Sequence, residues 1–181
     1  MSANSSKPAD IWTLGDFSTP WSIHVVVTLR IAQHIAEGRR EIGELAAAAG
    51  TDADALHRVL RHLVRHGIFE ESSVGLFSLN DAARPLLDDG VVLGFDLDSF
   101  GGRMAHAWNT LLTAVRTGRP AYHEVFGRPF WEDLAAHPEI AGRFDALMGP
   151  QGHGMISALI PLHRWSHAPA VGRPSRSARF T

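Results

Sequence analysis

The chain has 181 residues, 45% of them apolar, with a formal net charge of −2 and no cysteine. That length suits one compact domain, or one with appended helices. The composition excludes disulfides, zinc–thiolate sites and a thiol nucleophile, and it gives no global pull toward nucleic acid or an anionic membrane.

Residues 1–9 are polar, are expected to be disordered, and lack the apolar core of a signal peptide. No apolar run reaches the roughly 18–20 residues that span a bilayer, so a cytoplasmic protein with no membrane partner is expected. After the short apolar stretch "IWTLGDF", the segment "STPWSIHVVVTLRIAQHIAEG" predicts one helix. Ser18 or Thr19 can cap it, Pro20 suits its first turn, and Gly38 follows its end. Trp21, Val25, Leu29, Ala32 and Ile35 make its stripe, widened by Ile23, Val26 and Val27.

Two short helices follow, Glu41–Ala49 stopped at Gly50, and one capped by Thr51 or Asp52 and stopped at Gly67. In the second, Leu56, Val59, Leu60, Leu63 and Val64 recur at three and four, which predicts one buried face. "IFEE" and "LFSL" around "SSVG" predict a small hairpin. Helix, turn, helix and hairpin read as a winged helix-turn-helix over about residues 38–90. Asn80 is expected to cap a short helix through Leu87, and Asp88–Gly90 to break the chain. A longer helix then ends at Gly118, with Gly101 and Gly102 counting against its first turns. A loop leads to a helix over about Pro129–Ala136, and a last helix is expected from Pro138 to Leu162. The fold class is mainly α, with dimerisation helices around a winged-helix core. The expected domains are a helical unit over 10–163 and an Arg/Ser/Pro-rich tail over 164–181.

The winged helix raises nucleic-acid binding. Arg58, Arg61 and Arg65 stand at helical spacing, as guanine and phosphate contacts require. Between Glu41 and Asn80, however, six acidic residues face those three arginines. Phosphate neutralisation needs a local basic excess, so no nucleic-acid partner is assigned. His62 and His66 are four apart on a helix, as are His163 and His167, a spacing that two metal-binding imidazoles can share. No third ligand is legible beside either pair, and no metal is assigned.

The ordered series "LGDFSTPWSIHVVVTLRIAQHIAEG", "LRHLVRHGIFEE" and "AWNTLLTAVRTGRPAYHEVFGRPFWEDLAAHPEIAGRFDALM" resembles the amino-terminal half of bacterial S-adenosylmethionine-dependent O-methyltransferases. The relatives act on aromatic polyketides, including the anthracycline-type enzymes, with plant phenolic O-methyltransferases more distant. The resemblance runs from about Leu14 to Trp165. It implies a homodimerisation domain with a degenerate winged helix that supplies one wall of a substrate pocket. It places Ile140, Phe144 and Met148 along the aromatic substrate, and their i, i+4, i+8 spacing makes one helical stripe. It also implies roles for Trp108 and, at the pocket mouth, for Phe130 and Trp131.

In that family the donor sits in a second, Rossmann-like domain whose strand and D-x-G-x-G-x-G turn follow the tryptophan here written "HRWSHAPAV". This chain instead reads "GRPSRSARFT". The expectation is a chain truncated or frame-changed at the domain junction, with no cofactor of its own and no catalytic residue, the family's general-base histidine lying in the second domain. Three functions compete: the dimerisation and aromatic-substrate half of an O-methyltransferase, alone or beside a separate methyltransferase chain; a cofactor-independent polyketide-binding or -modifying protein; and a winged-helix regulator. The first leads.

Overall fold

The structure is a computed structural model that describes residues 10–148, with side chains through Asp145. The expectations for residues 1–9, for the last helix past Met148, for His163 and His167, and for the tail lie outside the described residues. The described chain is mainly helical, with one two-stranded antiparallel sheet.

Helix α1 (Ile11–Leu14) is capped by Asp10, whose carboxylate accepts from Trp12 N at 3.1 Å. Helix α2 (Ser18–Thr28) draws its cap from Asp16 rather than from Ser18 or Thr19, because Asp16 Oδ1 accepts from Ser18 N at 2.8 Å. The single helix expected to reach Gly38 is broken at Arg30, which adopts a left-handed φ of 56°, and α3 (Ile31–Ala36) follows. A left-handed non-glycine residue costs about 1–2 kcal/mol. Two distant contacts offset it. Arg30 Nη2 donates to the buried Asp96 at 2.8 Å, and Leu97 N donates to Thr28 Oγ1 at 2.8 Å. The break rephases the stripe: Val26, Val27, Ile31, Ala32 and Ile35 form the core face, while Trp21, Val25 and Leu29 are half-buried.

Helices α4 (Ile42–Ala49) and α5 (Ala53–Arg65) fall where their signals put them. Gly50 takes φ 64°, which closes α4 at no Cβ cost. Asp52 accepts from Ala55 N at 2.8 Å and opens α5. Leu56, Leu60 and Leu63 of α5 are buried against Leu45, Phe69 and Phe77, with Val59 and Val64 at the margin. Strands β1 (Glu70–Ser73) and β2 (Leu76–Ser78) pair Glu71 with Phe77, with a bulge between Glu71 and Ser73. Glu71 Oε1 holds the hairpin to α5: it accepts from Gly75 N and from His57 Nε2, both at 2.8 Å. These bonds, the Gly75 amide first, hold the Glu71 carboxyl below its usual range.

Asn80 does not open an α-helix. Its amide donates to Gly67 O at 2.8 Å while its Oδ1 accepts from Ala83 N, and a 3-10 turn over Arg84–Leu87 results. The expected break at Asp88–Gly90 is instead a helix start. Asp88 accepts from Gly90 N and Val91 N and caps α6 (Asp89–Phe95). The longer helix ending at Gly118 is formed in three pieces, α7 (Phe100–Ala107), a 3-10 turn over Trp108–Thr110, and α8 (Leu111–Thr117). Helices α9 (His123–Phe126), α10 (Phe130–Ala136) and α11 (Pro138–Met148) complete the described chain.

Candidate functional site

Helix α7 presents different chemistry on its two faces. Gly101, Met104, Ala105 and Trp108 recur at i, i+3, i+4 and i+7, and they line an open cleft of about 370 Å³ against α2 and α6. Trp21, His24 and Phe95 stand opposite. His24 Nδ1 donates to Phe95 O at 2.6 Å, which leaves the ring's Nε2 as an acceptor. Trp21 tilts against both His24 (5.6 Å) and His106 (5.3 Å).

Phe100, on the other face of α7, meets Phe144 of α11 at 4.8 Å. Phe130 and Trp131 of α10 close on the same Phe144 at 6.0 and 6.1 Å. The structure thus brings together Phe130, Trp131 and Phe144, and it buries Ile140 on α11. Trp108 belongs to the cleft instead, 69% exposed. The backbone of Met148 ends α11, and its side chain lies outside the described residues. The Phe100, Phe130 and Phe144 rings cover one another's faces, so this is a packed cluster with one open edge, Trp131, which is 70% exposed.

Beneath the cluster lies a group not singled out from the sequence. Asp133 is 2% exposed. Its Oδ2 accepts from Arg103 Nη1 and from Tyr122 OH, the latter at 2.7 Å, and Oδ1 stands 3.3 Å from His137 Nδ1. One signal was available: Phe130, Asp133, Leu134 and His137 share a stripe at i, i+3, i+4 and i+7, so an acid sits inside an apolar face. Burial, then the bond to Asp133, pushes the Tyr122 hydroxyl up to about 12. The proton is therefore held more tightly in the folded chain than in the unfolded one. That stabilisation is complete below pH 10 and is lost as pH rises toward 12. Urea titrations across this window should show the decline in the wild-type chain and its removal in Tyr122→Phe.

The apolar surface is large elsewhere too. Trp12, Leu14 and Phe17 near the amino terminus, and Leu112 and Val115 on α8, are all more than half exposed. No helix of the described residues is long and apolar enough to cross a membrane. Arg58, Arg61 and Arg65 of α5 are all exposed, and Arg61 lies 3.6 Å from Glu71.

Residues 12–89 match the family model for the O-methyltransferase dimerisation domain. That segment of the chain carries the O-methyltransferase dimerisation domain. The matched residues carry α1 through the start of α6, including the exposed Trp12, Leu14 and Phe17. Similarity to individual proteins extends past the dimerisation domain. The 2,7-dihydroxy-5-methyl-1-naphthoate 7-O-methyltransferase of Streptomyces carzinostaticus is 42% identical over 138 residues, 75% of this chain and 42% of that protein. Aclacinomycin 10-hydroxylase RdmB of Streptomyces purpurascens is 36% identical over 162 residues, 84% of this chain and 42% of that protein. The structure of the neocarzinostatin O-methyltransferase NcsB1, in complex with S-adenosylmethionine and 2-hydroxy-5-methyl naphthoic acid, superposes with a TM-score of 0.74 at 40% identity. That superposition covers 79% of this chain and 45% of NcsB1. The chain therefore spans less than half the length of these relatives. The aromatic cluster of α10 and α11 lies beyond the dimerisation-domain match.

Proposed function

We propose that residues 10–148 are the homodimerising, acceptor-facing part of an O-methyltransferase acting on aromatic molecules of secondary metabolism. The observation that carries the reading is the coincidence of the dimerisation-domain match with an aromatic cluster open at Trp131. Trp131 is the exposed face offered to a flat acceptor, with Phe130, Phe144 and Met148 continuing the wall and the buried Ile140 backing it, and Trp108 serves the neighbouring cleft. The α4, α5 and hairpin series is a winged helix over about residues 38–90 used for packing, not for nucleic acid. The acidic residue with alternating glycines that lets backbone approach a methyl donor does not occur in residues 1–181. The donor is therefore assigned outside these residues.

Three measurements test this. Light scattering at micromolar concentration should give a dimer, and a stable monomer overturns that part. Tryptophan fluorescence should report binding of a hydroxynaphthoic acid, weakened about tenfold in Trp131→Ala, as loss of an exposed aromatic anchor predicts. Calorimetry of the chain with S-adenosylmethionine should show no heat of binding, and a saturable heat would move the donor onto these residues.

One observation supports a second reading. A hydroxylase is 36% identical over 84% of this chain. Residues 10–148 can then bind a polyketide without committing to methyl transfer. Turnover of an aromatic polyketide by the chain, with no donor present, would favour it.

A further inference from the structure

We propose that Asp16, His62 and His66 form a binding site for a divalent transition-metal ion of the zinc type, independently of any methyltransferase role. His62 lies in the last turn of α5 and His66 is the residue that caps its end, with ring centroids 4.4 Å apart. The third ligand, invisible in the linear sequence, comes from the loop between α1 and α2. One donor atom from each of the three residues lies within 4.8 Å of the other two.

The surrounding hydrogen bonds prepare this set for a cation. His66 Nδ1 lies 2.9 Å from the His62 carbonyl, an acceptor only, so Nδ1 carries the proton and Nε2 keeps its lone pair. Asp16 Oδ1 is occupied by the Ser18 amide, which orients the carboxylate and leaves Oδ2 for a ligand. Thr19 Oγ1 lies 2.8 Å from His62 Nε2, and with Nε2 donating its proton to that hydroxyl, Nδ1 is the nitrogen His62 offers to an ion. Asp16 and His66 are exposed and His62 is half-buried, so the side chains can rotate.

Zinc bonds of about 2.0–2.2 Å in a tetrahedron put donors about 3.3–3.5 Å apart, so closure needs about 1 Å of side-chain movement. Two imidazoles and one carboxylate select a borderline ion such as Zn²⁺ over Mg²⁺ or Ca²⁺, which require more oxygen ligands. Three protein ligands leave the fourth position to water. The neighbouring cations Arg58, Arg61 and Arg65 oppose a positive ion. Arg61 is drawn 3.6 Å from Glu71, and the Asp16 carboxylate offsets part of the remainder. A bound ion would clamp the amino-terminal loop to the carboxy-terminal turn of α5, across 46 residues of sequence.

Calorimetry of the chelator-stripped full chain with zinc chloride tests the site. Wild type should take up one equivalent more than His66→Gln, with micromolar affinity, and the difference should persist in millimolar magnesium. Asp16→Asn keeps the amide cap and should weaken that equivalent at least fivefold. Saturating zinc should raise the midpoint of thermal unfolding by about 5 °C or more, and His66→Gln should abolish the rise. His163→Ala/His167→Ala should retain the equivalent, which separates it from that second pair. Equal uptake by wild type and His66→Gln overturns the site. Unchanged affinity in Asp16→Asn also overturns it, because the ion would then rest on the histidine pair alone.

Discussion

Gly102→Ala is expected to destabilise the chain by about 3 kcal/mol or more, at the upper end for overpacking a core. In an isolated helix the same change would be favourable by about 1 kcal/mol. The surroundings reverse the sign. A Cβ on Gly102 would stand 2.1 Å from Leu97 O, and one on Gly101 would stand 2.0 Å from Gly94 O. Both obstacles are backbone atoms, so no side-chain rotation relieves them, and α7 must move off α6 and the Leu97 connection that follows it. That displacement also opens the cleft, because Gly94 and Gly101 both line it. Urea denaturation with intrinsic fluorescence checks the value. Gly142→Ala supplies the comparison, since it lies in α11 with nothing within 4 Å of an added Cβ. It should follow propensity and gain about 1 kcal/mol. If Gly102→Ala and Gly142→Ala give the same sign, the close approach of α7 to the Leu97 backbone is wrong.

The two glycines show what was hidden in the sequence. Read alone, Gly101-Gly102 counted against a helix. In the fold they permit one, because the constraint lies on a neighbouring element. Arg30 repeats the lesson: nothing local ends a helix at Leu29, and the causes, Asp96 and Leu97, lie 66 or more residues away. Features whose cause is local were legible. Asp52 before an apolar repeat opened α5, Gly50 closed α4, and the polar turn marked the hairpin, because caps and turns depend on a few adjacent residues. Asp88 was misread for the same reason. A polar Asp-Asp-Gly string serves a break or a cap equally well, and only the following apolar pattern decides.

The candidate wall was legible in a similar, partial way. The spacing of Ile140 and Phe144 placed both on one face of α11, and the structure puts them there. The division between a closed cluster and an open edge was not legible, since it depends on Phe100 filling the space beside Phe144. Exposure then separates the named residues. Trp131 has surface left to offer a ligand, whereas Ile140 is already covered by protein. Substitutions at Ile140 should therefore act mainly on stability, and those at Trp131 mainly on ligand affinity.

Asp133→Ala is expected to cost about 3–5 kcal/mol, the usual penalty for removing one partner of a buried ion pair. Arg103 would keep its charge with only 16% of its side chain exposed, and Tyr122 would lose the acceptor of its 2.7 Å bond. His137 supplies no replacement, because it too approaches Asp133 as a donor to its carbonyl. The loss should show in urea denaturation as a lower midpoint with little change in slope. Tyr122→Phe removes one neutral donor and leaves the ion pair, so about 1 kcal/mol is expected. The decisive comparison is Arg103→Met/Asp133→Leu. A buried pair replaced by apolar groups of similar volume is often neutral, so the double variant should recover most of what Asp133→Ala loses. Failure to recover would mean that Asp133 does more than neutralise Arg103. The remaining contact, to Tyr122, would then be what fixes α10 against the α9 segment and holds Trp131 at the open edge of the cluster. Fluorescence titration with a hydroxynaphthoic acid separates the two cases, because an intact edge binds the acid and a displaced one does not.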